Sequence, residues 1–368
     1  MFAPITALAL CAALSTLPPA RQQQALEAQV MAQPVPVSIY VMGGTLPRPV
    51  AAASGFADPD SGRKLTTDTP LRIASNTKTF VAATVLRLHE RGRLDLDAAI
   101  APLLDPELVK LLRDDGYKPD VITVRQLLSH SAGLYDHGGD PRYIETVLKD
   151  PRHVWSRKEL VKLSMHYADP LAAPGVEFRY SDTGYILLGD IIERVTGQSV
   201  SAAVRELLRF DALGLTSTWW EVFEQPPPGV APRARQFIDD VDATDVHASF
   251  DLYGGGGLVM SSRDLARFMA ALFEGRVFEH EETLHTMLKQ GAHKDAQNYR
   301  LGMLVKQIDG REIYFHSGFW GTVVYYDPAT KLTVAAMTTR RKAYRTNVVP
   351  LVETVLGLTA PGSGCIEP

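Results

Sequence analysis

The order of hydrophobic patterns along the chain predicts an α+β fold: one antiparallel sheet assembled from both chain ends, flanked by helices, with a mostly helical lobe inserted between them. Three observations carry this. A pair of strand-like segments stands near the start, helical periodicity fills the stretch from about residue 95 to residue 290, and a run of short strands returns before a final helix.

The first strand pair is Pro34–Tyr40 and Val50–Phe56, followed by the turn residues Asp58-Pro59-Asp60-Ser61-Gly62. Thr77–Arg91 is helical and apolar on almost every side, which marks a buried helix, and Gly92 ends it. Helical segments follow at Thr123–Ser129, Lys158–His166, Thr183–Thr196, Val200–Leu208 and Ser262–Phe273, separated by loops rich in Pro, Gly and Asp. The closing strands are Arg300–Gln307, Glu312–His316, Val323–Tyr326 and Leu332–Met337, with turns at Asp309-Gly310 and Asp327-Pro328, before the helix Thr346–Leu356. The expected division is a sheet lobe with its flanking helices at 33–95 and 290–359, a mostly helical lobe at 96–289, and the active site between them.

With 368 residues, 45% of them hydrophobic and 22% charged, the chain can bury a substantial core. A net charge of -4 with both signs interspersed gives no electrostatic footprint for nucleic acid or an anionic membrane. Residues 1–20, MFAPITALALCAALSTLPPA, resemble a secretory signal peptide without a basic start, and the run is too short to span a bilayer. The expectation is a periplasmic or secreted protein, the alternative a cytoplasmic one with an N-terminal helix. Cys11 and Cys365 are the only cysteines, and neither a disulfide, a lipid anchor nor a zinc site is expected of them.

Serine becomes a nucleophile when a base takes its proton, and a lysine three residues on along a helix lies one turn away on the same face. Ser75-Asn76-Thr77-Lys78 has that spacing, and so has Ser61-Gly62-Arg63-Lys64. Ser61 sits in a polar turn, whereas Ser75 opens the buried helix, where desolvation is expected to lower the lysine pKa and the helix N-terminus favours developing negative charge. A second element is Tyr180-Ser181-Asp182, just before an apolar helix; a tyrosine beside an ammonium group can exchange its proton. The third is His316-Ser317-Gly318-Phe319, at the end of one strand and before the next, where glycine lets a substrate approach the backbone and the following amide can face a carbonyl oxygen.

The ordered set Ser75-x-x-Lys78, Tyr180-Ser181-Asp182 and His316-Ser317-Gly318 resembles the three active-site motifs of the penicillin-recognising serine hydrolases, on the side of class C β-lactamases, D,D-peptidases, D-aminopeptidases and related esterases. Leu127–Leu134 and Gly256-Gly257-Leu258-Val259 with Asp264-Leu265-Ala266 resemble further segments of that family, over about residues 35 to 358. The resemblance implies a β-lactamase/transpeptidase-like fold and an acyl-enzyme on Ser75, with Lys78 and Tyr180 moving protons. It further implies an oxyanion hole from the N–H groups of Ser75 and Phe319, and substrate contacts from Asp182, His316, Ser317 and Gly318. No metal or organic cofactor is implied.

Two positions depart from the β-lactamase pattern. Asp182 stands where asparagine is usual, and an ionised aspartate only accepts hydrogen bonds; reaching Lys78, it would hold the ammonium form and shift the base role toward Tyr180. His316 stands where lysine holds a carboxylate, and a histidine of ordinary pKa, ~6.5, would hold one better as the pH falls. Phe319 and Trp320 suggest an aromatic pocket edge. The expected activity is therefore that of a carboxylesterase or a D,D-peptidase/D-aminopeptidase-like hydrolase acting on a small ester, amide or peptide. The alternatives are a class C-like β-lactamase and a non-hydrolytic sensor that binds β-lactams or peptidoglycan. Ser181-Asp182-Thr183 also resembles the Ser-Asp-Asn of class A enzymes, in which serine shuttles the proton.

Other features carry less. No G-x-S-x-G occurs, so no nucleophile elbow is expected. His130 is read as structural, fastening its loop to the site, and Gly254–Gly257 as close backbone packing rather than a phosphate loop. His280 and His285 are spaced wrongly for a zinc helix. Arg340-Arg341-Lys342 with Arg345 is read as a solvated turn, the alternative being a border of the site. Trp219-Trp220 either lines the groove or packs beneath a loop. The oligomeric state is left open.

Overall fold

The computed structural model describes residues 14–308 and 310–358. Residues 1–13 of the expected leader, both cysteines and part of the turn at Asp309-Gly310 lie outside the described residues.

Six strands form the principal sheet: β1 (Val37–Gly43), β2 (Val50–Ser54), β3 (Leu304–Ile308), β4 (Arg311–Gly318), β5 (Thr322–Asp327) and β6 (Leu332–Thr338). Their spatial order is β3-β4-β5-β6-β1-β2, and every neighbouring pair is antiparallel. The last strand of the meander thus closes on the first strand of the chain, pairing Val37 with Thr338 and Gly43 with Leu332. The sheet built from both chain ends is as the hydrophobic pattern predicts.

Period-two alternation sends side chains to two different cores. Leu332, Val334 and Ala336 of β6 join Val37, Ile39 and Val41 of β1 beneath the two terminal helices, α1 (Pro19–Met31) and α5 (Val349–Leu356). Ala335 and Met337 face the larger core, which includes Phe80 of α2 (Thr77–Glu90), Leu187 of α3 (Asp182–Thr196) and Phe268 of α4 (Ser262–Phe273). Helix α4 packs on β1, β5 and β6, so the inner face of the sheet is covered by a helix drawn from the stretch expected to form the helical lobe. Helix α1 packs along β2, and Leu14, Leu26 and Val30 are fully buried. A cut after residue 20 would therefore remove Leu14 and the first two residues of a packed helix, Pro19 and Ala20.

Helix α2 is buried continuously from Thr77 to Leu88, as its greasy sequence requires. Its neighbour α3 carries Gly189, where an added Cβ would lie 2.0 Å from the carbonyl oxygen of Tyr253. The missing side chain lets the glycine-rich loop 254–257 press against α3, and that contact carries Gly255 to the end of Lys78. Trp219 and Trp220 are buried in a small sheet formed by Thr218–Trp220, Leu258–Met260 and Leu71–Arg72. Among the described residues no helix is long and apolar enough to cross a membrane.

Candidate active site

The turn before α2 is clamped to the hairpin of β4 and β5. The Asn76 amide donates to Thr322 Oγ1 at 2.9 Å, and Thr322 Oγ1 donates to the Ile73 carbonyl at 3.1 Å. An added Cβ at Gly318 would lie 2.0 Å from that same carbonyl, so only glycine lets the end of β4 close on the turn. Ala74 has φ of 44°, a left-handed conformation costly for a residue with a Cβ, and the strain sits immediately before Ser75.

Lys78 is fully buried and its Nζ lies 2.9 Å from Ser75 Oγ, 2.6 Å from the Gly255 carbonyl and 2.5 Å from Asp182 Oδ1. Burial pushes its pKa down, but the carboxylate of Asp182 and the neighbouring Tyr180 outweigh burial and raise it. This corrects the expectation that burial would make Lys78 a readily deprotonated base: the ion pair holds it as ammonium.

Tyr180 lies with its ring centroid 5.2 Å from Lys78 Nζ and lines the same cavity as Ser75, whose side chain acts to lower the pKa of the phenol. Burial raises its pKa, with Lys78 acting in the opposite direction and Asp182 adding to the rise, so the phenol is protonated at rest. Ser181 is directed elsewhere. Its hydroxyl donates to the Tyr135 carbonyl at 2.8 Å and its N–H to His130 Nδ1 at 3.0 Å. The class A alternative thus finds its serine committed to the loop, while His130 ties that loop down as expected.

Asp182 opens α3, where the helix N-terminus favours its charge. Its N–H donates to Asp136 Oδ1 at 3.0 Å. Burial, together with the charge of Asp182, pushes both Asp136 and Asp251 up to about 7. Three carboxyl groups therefore surround one ammonium, and Asp136 was invisible as a site residue because a lone aspartate in a loop carries no spacing signal.

His316 is 1% exposed. Its Nδ1 donates to the Ser317 carbonyl at 3.0 Å, and its Nε2 accepts from Tyr299 Oη at 3.1 Å. Burial and the Lys78 ammonium lower its pKa to about 3. The expected tightening of carboxylate binding through protonation of His316 near pH 6.5 is therefore overturned: the ring is a neutral spacer with both nitrogens engaged. In 15N-edited NMR its imidazole should stay in one neutral tautomer from pH 8 to pH 5, and a midpoint between pH 6 and 7 would contradict this placement.

These groups meet in one cavity of about 570 Å3, lined by Ser75, Asp136, Tyr180, Asp182, His316, Ser317, Gly318 and Phe319 together with Arg341, Lys342, Tyr344 and Arg345. The basic segment after β6 is an exposed turn, as its composition predicts, and it also borders the site. It is brought there by a π-helical turn at Tyr344–Val348 and by Arg341, whose guanidinium lies 4.3 Å from the Phe319 ring centroid. Phe319 forms the aromatic edge, whereas Trp320 is 1% exposed in the core beneath, so that half of the expected edge is absent. The other S-x-x-K serine behaves as its polar setting predicts, with the Ser61 hydroxyl on Asp58 at 2.6 Å and Lys64 over the Phe56 ring. Among the described residues no group of three His, Cys, Asp or Glu is placed to hold a metal ion.

The Beta-lactamase family model matches residues 24–351. Esterase EstB of Burkholderia gladioli is 36% identical over 167 residues, 42% of this chain and 40% of the esterase, so the match spans less than half of that relative. The D-stereospecific amidohydrolase of a Streptomyces species superposes with a TM-score of 0.76 at 26% identity, covering 94% of this chain and 100% of that one. The D-amino acid amidase of Ochrobactrum anthropi SV3 superposes with a TM-score of 0.74 at 26% identity, covering 91% and 96%.

Proposed function

The chain belongs to the Beta-lactamase family, and from that premise we propose that it is a serine acyl-hydrolase of the esterase or D-peptidase type, with Ser75 as nucleophile. The single observation that carries the assignment is the placement of Ser75 Oγ, 2.9 Å from a fully buried Lys78, in an open cavity that Tyr180 also lines. Relatives that are an esterase, a D-stereospecific amidohydrolase and a D-amino acid amidase support the reaction class.

Ser75 attacks the substrate carbonyl as its proton passes to Tyr180 in the phenolate form, which the fixed ammonium of Lys78 stabilises. The tetrahedral oxyanion is held by the N–H groups of Ser75 and Phe319, where the loss of one donor costs about 3 kcal/mol. Tyr180 then returns the proton to the leaving group, and water releases the acyl group by the same route. Ser317 and Gly318 present the strand edge along which the substrate lies. Asp182 fixes Lys78 and cannot donate to an acylamino carbonyl, and neutral His316 offers no charge to a β-lactam carboxylate; both weigh against β-lactam turnover.

A panel of short p-nitrophenyl esters, D-amino acid amides, D-Ala-D-Ala peptides and nitrocefin tests the proposal. Turnover of the esters or the D-amino acid substrates should exceed that of nitrocefin by at least about 100-fold in kcat/KM. Faster nitrocefin hydrolysis would restore the β-lactamase alternative, and stable acylation without product would mark a sensor.

A further inference from the structure

The cavity is electrically divided. On the side of the helical elements stand Asp136 and Asp182, from the loop 135–139 and the start of α3, and on the other stand Arg341 and Arg345, from the segment that follows β6. Ser75 lies between the two walls.

The acidic wall has more negative than positive groups. Lys78 is the cation that acts on both Asp136 and Asp182, Asp251 also feels Arg72, and the nearby His130, His137 and His316 are all held neutral by burial. Asp136 and Asp182 are already joined by the Asp182 N–H, which brings two carboxyl groups close at the cavity wall. A substrate cation placed there relieves the repulsion that one ammonium leaves uncompensated.

The basic wall is unbalanced in the opposite sense. Lys342 is paired with Asp240 at 2.9 Å and Arg340 lies over Phe237, but among the described residues Arg341 and Arg345 have no carboxylate partner. Arg341 is steadied on the Phe319 ring, and Tyr344, beside Arg345, lines the cavity together with Ser317. Two guanidinium groups are thus carried by structure that touches the proposed oxyanion strand, where a planar carboxylate is well matched.

We infer that the substrate is a short peptide with both ends free, its ammonium group on the Asp136–Asp182 wall and its carboxylate on Arg341 and Arg345, with the bond to be cleaved over Ser75. The inference rests on the proposed acyl-hydrolase reading and names its substrate class. It accounts for a neutral histidine at the third motif: the carboxylate is held by the arginines after β6. A cavity of about 570 Å3 accommodates a dipeptide.

The test compares four forms of D-Ala-D-Ala: both ends free, N-acetylated, C-terminally amidated, and blocked at both ends, with p-nitrophenyl acetate run alongside. The free dipeptide should exceed each singly blocked form roughly tenfold in kcat/KM and the doubly blocked form roughly 100-fold. Asp136→Asn should abolish the preference for the free amine, and Arg341→Ala combined with Arg345→Ala the preference for the free acid. Equal turnover of all four forms, or hydrolysis of the ester with none of the dipeptide, overturns the inference and leaves the acyl-hydrolase standing. Failure of every substrate, the ester included, overturns both. The ratios in the unaltered protein decide the matter even where a variant fails to fold.

Discussion

Tyr180→Phe is expected to lower kcat/KM for a neutral p-nitrophenyl ester by about 10^3-fold, whereas Ser181→Ala should change it by less than about fivefold. The difference follows from where the two side chains lie. Tyr180 lines the cavity together with Ser75, while Ser181 donates to the Tyr135 carbonyl at 2.8 Å. Because burial raises the Tyr180 pKa, the phenolate is a minor form at neutral pH, and its share grows with each unit of pH. The activity of the unaltered enzyme on the ester should therefore still be rising above pH 8, and Tyr180→Phe should remove that alkaline limb. A nearly active Tyr180→Phe enzyme, or a profile that levels off near pH 6.5, would refute the base assignment.

Lys78→Ala is expected to lower kcat/KM by about 10^4-fold and also to destabilise the fold, a combination that separates it from Tyr180→Phe. The ammonium holds Ser75 Oγ, the Gly255 carbonyl and Asp182 Oδ1 at once, all within 2.9 Å. Its removal leaves the Asp182 carboxylate without its cation beside Asp136 and Asp251. Breaking a buried pair in this way costs about 3–5 kcal/mol. Adding Asp182→Asn to Lys78→Ala should restore much of the melting temperature and none of the activity. Thermal unfolding and ester turnover of the single and double variants check this, and independent effects of the two substitutions would contradict the coupling.

The sequence made the polypeptide's main architecture readable because the relevant signals are local. Period-two runs marked all six strands of the principal sheet to within a few residues, and the unbroken apolar character of 77–91 marked a buried helix. Helices at Pro106–Asp114 and Pro141–Lys149 were missed, each being short and amphipathic and lying beside loops, whereas the segment from His280 does start a helix, Glu281–Leu288, as its sequence suggests. Ser75, Lys78 and Tyr180 were legible for the same reason as the strands: each stands in a short continuous motif. The electrostatics were not. The state of Lys78 depends on Asp182, 104 positions away in the chain yet 2.5 Å away in space, and the state of His316 depends on burial and on the Lys78 ammonium. Arg341 and Arg345 are exposed, as a basic turn should be, but nothing in a run of basic residues says which cavity a π-helical turn will bring them to.

The central claim is a covalent acyl group on Ser75, and intact-mass spectrometry of protein quenched in acid during turnover of a slow ester measures it directly. The account predicts a mass increase equal to one acyl group, located by peptide mapping to the peptide containing Ser75-Asn76-Thr77-Lys78, absent from Ser75→Ala and accumulating in proportion to the initial burst of product. Turnover with no adduct on Ser75, or undiminished turnover by Ser75→Ala, would contradict it.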